Sequence, residues 1–280
     1  MNQMQILKTK RGTLEYRIAG SSSRTVIIFP GGHMDASVEL GDGFFLEEGY
    51  KVIIVSRPGY GKTSLAMGPT PNEFVDSVIE LLTKLGVNQV VAVGISAGGR
   101  SAVRLAAKYP DVVQKLILQS ATSFMPWPDA RTRRIARAAF NPVAQKPTWK
   151  IMRWLLKRHP RAGLKMMLAN MTTLDPNKVI KKLASEQHQR LIRLFSNLHS
   201  DEGFMNDLRQ VTGSAKDVHV PTLIIHSKYD KSVELKHAQK LHHEIVGSQL
   251  SISDAESHII WFSDSYKEIQ KTMKHFLAKS

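Results

Sequence analysis

The chain has 280 residues, 42% of them hydrophobic, a size that fits one domain with an inserted subdomain better than two independent domains. It contains no cysteine, which excludes disulfides, a thiol nucleophile and thiolate metal sites. The net charge is +15, no apolar run approaches the ~18 residues of a membrane-spanning helix, and the first residues lack the apolar core of a secretory signal, so a cytoplasmic protein is expected.

The hydrophobic pattern of the first 120 residues predicts alternating strands and helices. A strand hairpin over 3–19 comes first, and the later strands and helices are predicted at 25–29, 36–48 (helix), 50–56, 71–85 (helix), 89–93, 97–108 (helix) and 114–119. Short links, several of which contain glycine, join these elements. We therefore expect an α/β fold with a mostly parallel central sheet and helices on both of its faces.

The pattern changes after residue 121. Residues 124–217 show helical periodicity and several prolines but no strand signal, and strands and helices alternate again from about residue 220. The sequence therefore predicts an N-terminal core over 1–122, an inserted helical cap over 123–218 and a C-terminal core over 219–280.

One serine lies at the corner between the predicted strand 89–93 and helix 97–108. Ser96 is the centre of Gly94-Ile95-Ser96-Ala97-Gly98, and glycines on both sides leave room for a sharp turn that holds the hydroxyl at the tip of the sheet. This segment resembles the G-x-S-x-G nucleophile elbow of the α/β-hydrolase family. The resemblance implies that fold, with Ser96 as the nucleophile and with an acid and then a histidine following in chain order.

The acid that the resemblance implies is Asp230, just beyond a predicted strand over 221–226. Residues 226–233 resemble the family's H-G-x-x-D-x-x-V loop, with serine in place of the glycine. Asp230 could alternatively cap the next helix, predicted over 233–246. Asp254 is the nearest competitor, but it precedes the candidate histidine by only four residues.

Of eleven histidines, His258 has the position that the family gives its catalytic base. It follows a predicted strand over 249–253 and precedes a terminal amphipathic helix. Ser257 stands where the family usually has glycine before this histidine.

The same resemblance implies an oxyanion hole made of two backbone amides. One belongs to Ala97, directly after the nucleophile, at the start of a helix. The other belongs to Gly32, because Pro30-Gly31-Gly32-His33 resembles the family's H-G-x loop with proline replacing its histidine. No cofactor and no metal are expected.

Residues 57–64 imitate the end of a phosphate-binding loop through Gly61-Lys62-Thr63. The first glycine of such a loop would fall at position 56, which is Ser56, and Pro58 removes one of the N–H groups that would cradle phosphate. Nucleotide binding is therefore not expected. The segment resembles the family's R-P-G-Y-G-x-S/T loop, for which a structural role is expected.

The positive charge is concentrated in the inserted region. Residues 124–217 hold eighteen lysines and arginines against seven acidic residues, and residues 131–174 hold eleven basic residues and no acid. Three hypotheses remain open: a lid with a solvent-facing basic surface, reversible contact with an anionic membrane surface, and attraction of an anionic substrate or nucleic acid. No specific nucleic-acid motif supports the last.

The expected function is that of a serine hydrolase that cleaves an ester-like bond in a small or medium apolar substrate. The same triad in this family also hydrolyses amides, thioesters and carbon–carbon bonds, so these reactions stay open. A receptor that binds a ligand in the pocket without turnover is the alternative outside the enzymes.

Overall fold

A computed structural model describes residues 4–210 and 212–279, and its centre is an eight-stranded sheet. The strands are β1 Met4–Thr9, β2 Gly12–Ala19, β3 Thr25–Phe29, β4 Lys51–Val55, β5 Val90–Ile95, β6 Val113–Gln119, β7 Thr222–Ser227 and β8 Gln249–Ser253. Their order across the sheet is β1-β2-β4-β3-β5-β6-β7-β8. Only β2 runs antiparallel to both of its neighbours, and the pairs from β4 to β8 are parallel. The predicted α/β fold with a mostly parallel sheet is confirmed; residue 3 of the predicted hairpin lies outside the described residues.

The described residues form eleven α-helices. They are α1 Gly43–Glu47, α2 Pro71–Lys84, α3 Gly99–Lys108, α4 Ala130–Phe140, α5 Gln145–Arg158, α6 Pro160–Leu168, α7 Pro176–Lys182, α8 Ser185–Ser196, α9 Gly203–Asp207, α10 Lys236–Glu244 and α11 Tyr266–Ala278. Local sequence explains their ends: α2, for example, begins with a capping box between Thr70 and Glu73 and with Pro71 in its first turn.

The prediction of a helix over 36–48 is largely wrong, because only Gly43–Glu47 is helical. Tertiary hydrogen bonds hold the preceding residues in a loop. The Ala36 amide donates to Ser56 Oγ (2.8 Å), and its carbonyl accepts from Arg17 Nε (2.9 Å). Gly41 has φ +81°, a left-handed conformation that interrupts a helix.

Side chains alternate across the sheet, so helices cover both faces. Val26 and Ile28 pack in one apolar cluster with α1, α11 and buried residues of α5–α8, whereas Ile27 and Phe29 pack in a second cluster with α2, α3 and α10. The sheet is therefore buried on both sides, as its parallel strands require.

Helices α4–α9 lie between β6 and β7 and are called the helical insertion below. Leu156, Leu164 and Phe195 of the insertion belong to the same apolar cluster as strand residues of the sheet. The predicted boundaries at 122/123 and 218/219 stay a prediction, and residues 1–3, 211 and 280 of the predicted segments lie outside the described residues. No helix in the described part of the chain is long and apolar enough to cross a membrane. The cytoplasmic location also stays a prediction.

Candidate active site

Ser96 occupies the sharp corner between β5 and a short 3₁₀ turn that leads into α3. Its φ is +49°, a strained conformation for a residue with a side chain. The chain passes so close to itself here that a Cβ on Gly94 would lie 2.6 Å from Gly99 Cα, and a Cβ on Gly98 would lie 2.1 Å from the carbonyl oxygen of Phe29. The two glycines are therefore needed for the turn that presents the Ser96 hydroxyl.

The structure brings the three side chains predicted to react into one hydrogen-bonded chain. His258 Nε2 lies 3.0 Å from Ser96 Oγ, and His258 Nδ1 lies 2.6 Å from Asp230 Oδ2. All three residues are buried. A carboxylate can only accept, so His258 carries its proton on Nδ1, and Nε2 is the atom that accepts the Ser96 hydroxyl proton.

Asp230 follows β7, and its two carboxylate oxygens have different hydrogen-bond partners. Oδ1 accepts a hydrogen bond from the Val233 amide (2.8 Å), while Oδ2 binds His258. His226, at the end of β7, holds the same loop, because its Nε2 lies 2.8 Å from the Val233 carbonyl and 3.5 Å from Asp230 Oδ2. Asp254, the competing acid, instead forms an exposed ion pair with Lys228.

The helical insertion contacts the loops that carry the acid and the histidine. The Met171 carbonyl accepts from the His258 amide (2.8 Å), and the Thr172 hydroxyl donates to the Glu256 carbonyl (2.5 Å). The Thr173 amide donates to the Tyr229 carbonyl (2.9 Å). The segment between α6 and α7 therefore joins the two loops to each other.

The loop after β3 lies against Ser96. A Cβ on Gly31 would approach Ser96 Cβ to 3.2 Å, and Gly32 lies beside Phe204 of α9. Among the described residues, the Gly32 amide has no hydrogen-bond acceptor. Ala97 lies in the first turn after Ser96, where the exposed N–H groups and the helix dipole favour negative charge.

Arg57, the second residue after β4, holds this Gly31–Gly32 segment in place through hydrogen bonds. Its Nε donates to the Pro30 carbonyl (2.8 Å) and its Nη2 to the Gly31 carbonyl (3.0 Å). The same guanidinium forms a buried ion pair with Asp207 of α9, which also accepts from the Tyr60 hydroxyl (2.7 Å). Burial opposes the charge of Arg57, but the Asp207 carboxylate outweighs it and raises the pKa of Arg57 above its ordinary value.

His33 ends the loop inside an aromatic cluster of the insertion. Its ring stacks on Phe204 at 3.9 Å, with Trp149 at 5.2 Å, and Ser200 Oγ lies 2.8 Å from both His33 Nδ1 and Trp149 Nε1. Burial lowers the pKa of His33 to about 3, so the ring is neutral. Because the indole N–H can only donate, Ser200 accepts from Trp149, and the same hydroxyl also hydrogen-bonds His33 Nδ1.

His199 connects the insertion to the same loop through charge. Its Nε2 lies 3.1 Å from Asp35 Oδ2 and its Nδ1 lies 2.7 Å from Asp201 Oδ2, while its amide donates to the His33 carbonyl (3.0 Å). Burial alone would lower the pKa of His199, but the two carboxylates outweigh burial and raise it to about 9. His199 is therefore an imidazolium at neutral pH.

Apolar side chains adjoin the candidate oxyanion site. Ala97 packs in one buried cluster with Trp127, Ala136, Phe204 and Val233. A separate cavity of about 20 Å³, enough for about one water, is lined by residues on either side of His258 and by α6–α8. Among the described residues, no three histidine or acidic side chains are grouped as metal ligands.

Sequence reasoning identified Ser96, Asp230, His258, Gly32 and Ala97 as the candidate site, and all five positions lie in this region. It missed Asp207, His33 and Ser200. Their partners are far away in the chain, and no local motif marks them. The loop motif predicts a structural role for Arg57, and the tertiary structure adds its contact with the Gly31–Gly32 segment.

Known proteins share both the sequence and the architecture. A family model for the alpha/beta hydrolase fold matches residues 24–264. "Uncharacterized hydrolase YcgS" of Bacillus subtilis is 34% identical over 273 residues, 95% of each chain. A 2-hydroxy-6-oxononadienedioate/2-hydroxy-6-oxononatrienedioate hydrolase of a Pseudomonas species is 23% identical over 80% of this chain and 77% of its own. The solved structure of an alpha/beta hydrolase fold protein from Nakamurella multipartita has a TM-score of 0.78 and 24% identity, covering 98% of this chain and 99% of that one. The family expected from the Ser96 motif is confirmed: the chain belongs to the α/β-hydrolase fold family and is a hydrolase.

Proposed function

We propose that the chain is a serine hydrolase that cleaves an ester-like bond in a small or medium apolar substrate through an acyl-enzyme. The observation that carries the proposal is the position of His258, whose two ring nitrogens lie within hydrogen-bond distance of Ser96 Oγ and Asp230 Oδ2. This arrangement provides a nucleophile, a base and a group that orients the base.

In the proposed reaction Ser96 Oγ attacks the substrate carbonyl while His258 Nε2 takes the hydroxyl proton. Asp230 stabilises the resulting imidazolium through its bond to Nδ1. The tetrahedral oxyanion accepts hydrogen bonds from the amides of Gly32 and Ala97. His258 then gives its proton to the leaving alcohol as the C–O bond breaks, and the acyl group stays on Ser96.

Water completes the reaction by the reverse sequence. His258 takes a proton from the water as its oxygen attacks the acyl carbonyl, and it returns that proton to Ser96 Oγ when the acid leaves. No cofactor takes part in these steps. The preference for an apolar substrate rests on the cluster that adjoins Ala97, in which Trp127, Phe204 and Val233 are buried.

The test is the release of p-nitrophenol from a short-chain p-nitrophenyl ester, combined with labelling by a fluorophosphonate probe. We expect an initial burst proportional to enzyme, steady turnover and one labelled serine. Ser96→Ala should lose burst, turnover and label while it unfolds at the same denaturant concentration as the unmodified protein. Saturable binding of the ester without burst, label or turnover would instead indicate a receptor and would refute the proposal.

A carbon–carbon bond hydrolase is the second candidate, because of the similarity to the Pseudomonas protein named above. That protein's named substrate is a dicarboxylate, whereas the cluster next to Ala97 is apolar. Turnover of 2-hydroxy-6-oxononadienedioate faster than of p-nitrophenyl esters would replace the ester proposal with this one. Both reactions should disappear in Ser96→Ala if one site performs them.

A further inference from the structure

The outward surfaces of α4, α5 and α6, called the basic face below, carry many lysines and arginines, and the three helices contain no acidic residue. The eleven lysines and arginines are Arg131, Arg133, Arg134, Arg137, Lys146, Lys150, Arg153, Lys157, Arg158, Arg161 and Lys165. Ten are exposed and one is half-buried. None of them forms a salt bridge with a carboxylate in the described part of the chain, although eleven other lysines and arginines do so elsewhere in it.

Large apolar side chains are exposed in the same stretch of the chain. Of the eight exposed large apolar residues in the described chain, five lie between residues 135 and 166: Ile135 (61% exposed), Val143 (85%), Ile151 (63%), Trp154 (56%) and Met166 (37%). Scattered exposed apolar residues are ordinary, but a group of them among lysines and arginines that form no salt bridge indicates a binding surface.

Helix α5 shows how the two kinds of side chain are arranged. Its buried side holds Trp149 and Leu156. An α-helix turns by about 100° per residue, which places five exposed side chains within an arc of about 120° on the opposite side of α5. They are Lys150, Ile151, Trp154, Lys157 and Arg158. Lysine and arginine therefore flank the exposed indole.

We infer that the basic face binds the surface of an anionic lipid bilayer. Lysine and arginine are attracted to anionic headgroups, tryptophan seats at the interface between headgroups and acyl chains, and Ile151, Val143 and Met166 enter the apolar boundary. A nucleic acid would be attracted by the same charge, but its phosphate backbone gives the exposed isoleucine, valine and methionine nothing apolar to contact. The combination of both kinds of side chain therefore favours a bilayer.

The position of α5 ties this surface to the candidate active site. Trp149, on the buried side of α5, donates to Ser200, which in turn contacts His33 beside Gly32. One helix therefore has its outer side on the bilayer surface and its inner side on the loop next to Ser96. The inference does not depend on the proposed reaction, because binding is measured without substrate.

The test is flotation of the full chain with vesicles of phosphatidylcholine alone and of phosphatidylcholine containing phosphatidylglycerol. We expect binding to the anionic vesicles that weakens as salt is raised, and little binding to the neutral ones. Lys150→Glu with Lys157→Glu should weaken binding by at least about fivefold for each lysine. Ile151→Ser with Trp154→Ser should also weaken it at constant charge.

Matched controls separate this face from general charge and general hydrophobicity. Lys84→Glu with Lys267→Glu changes the charge equally at exposed positions on α2 and α11, and Val246→Ser with Ile252→Ser removes exposed apolar groups outside the insertion. Both controls should bind anionic vesicles as the unmodified protein does. Equal binding to both vesicle types, or control variants as weak as the basic-face variants, overturns the inference. So does tighter binding to a DNA duplex that survives Ile151→Ser with Trp154→Ser.

Discussion

Arg57 and Asp207 form a buried ion pair that joins the loop after β4 to α9 of the helical insertion. The remaining donors of Arg57 hold the carbonyls of Pro30 and Gly31, the two residues before the candidate oxyanion donor Gly32. A contact between core and insertion is thus also a contact that sets the position of the Gly32 amide. Stability and catalysis should respond differently when this pair is altered, and that difference can be measured.

Asp207→Asn should lower the free energy of unfolding by about 3–5 kcal/mol, because it leaves the Arg57 guanidinium buried without a counter-charge. Urea unfolding measures this loss. The matched control is Glu80→Gln, which removes the exposed partner of Arg11 and should cost about 0–1 kcal/mol. Equal losses in the two variants would contradict the role given to Asp207.

The double variant Arg57→Met with Asp207→Leu separates stability from positioning. Apolar residues of similar volume replace a buried ion pair with little or no loss of stability, so much of the unfolding free energy lost in Asp207→Asn should return. The carbonyls of Pro30 and Gly31 would lose their Arg57 donors, so kcat for ester hydrolysis should fall well below that of the unmodified enzyme. A kcat equal to that of the unmodified enzyme would show that Arg57 does not position the oxyanion loop.

Asp230→Asn should reduce kcat on the order of 10⁴-fold while the protein stays folded. The asparagine amide would donate to His258 Nδ1 and force the ring proton onto Nε2, where it blocks acceptance of the Ser96 proton. The new side chain can still accept from the Val233 amide, so the loop should keep its shape. Asp254→Asn provides the comparison, since Asp254 pairs with Lys228 on the surface. Its kcat should match that of the unmodified enzyme, and a large loss there would reassign the acid.

The parts of the fold that could be predicted from sequence are those fixed by local patterns. Apolar runs marked the core strands, and the glycines around Ser96 marked the elbow, because both signals lie within a few residues. The segment before α1 could not be predicted in this way, since Ala36 is held by Ser56 and Arg17 rather than by its own helical neighbours. The role of Asp207 could not be predicted either, because it depends on the Arg57 guanidinium, which is 150 residues away in the chain.

Gly98→Ala should prevent stable folding or sharply lower the yield of soluble protein. The added methyl would lie 2.1 Å from the Phe29 carbonyl oxygen and 2.5 Å from that of Pro30, so β3 and the elbow would have to separate. Gly43→Ala is the control, because nothing lies within 4 Å of a Cβ there and its φ is not positive. That substitution, in the first turn of α1, should leave the free energy of unfolding unchanged or raise it by about 0.4–1 kcal/mol. Soluble, active Gly98→Ala protein would show that the elbow tolerates a side chain.

The imidazolium of His199 should make the attachment of the insertion depend on pH. Its pKa of about 9 in the folded protein exceeds the ordinary value of 6.5, so protonation favours the folded state. The stability that results is complete below 6.5 and is lost as pH rises through about 9. Two carboxylates contact the ring: Asp35 of the core lies next to Nε2, and Asp201 of the insertion lies next to Nδ1.

Urea unfolding of the unmodified protein and of His199→Gln at a series of pH values measures this contribution. We expect a difference in unfolding free energy on the order of 2 kcal/mol near pH 6 that shrinks toward zero above about pH 9, because deprotonation leaves the imidazole with no charge to offer the two carboxylates. Lys84→Gln, at an exposed position on α2, controls for the loss of one cation and should show no such convergence with pH. A difference for His199→Gln that stays constant from pH 6 to pH 10 would mean that the ring acts through packing and not through its charge.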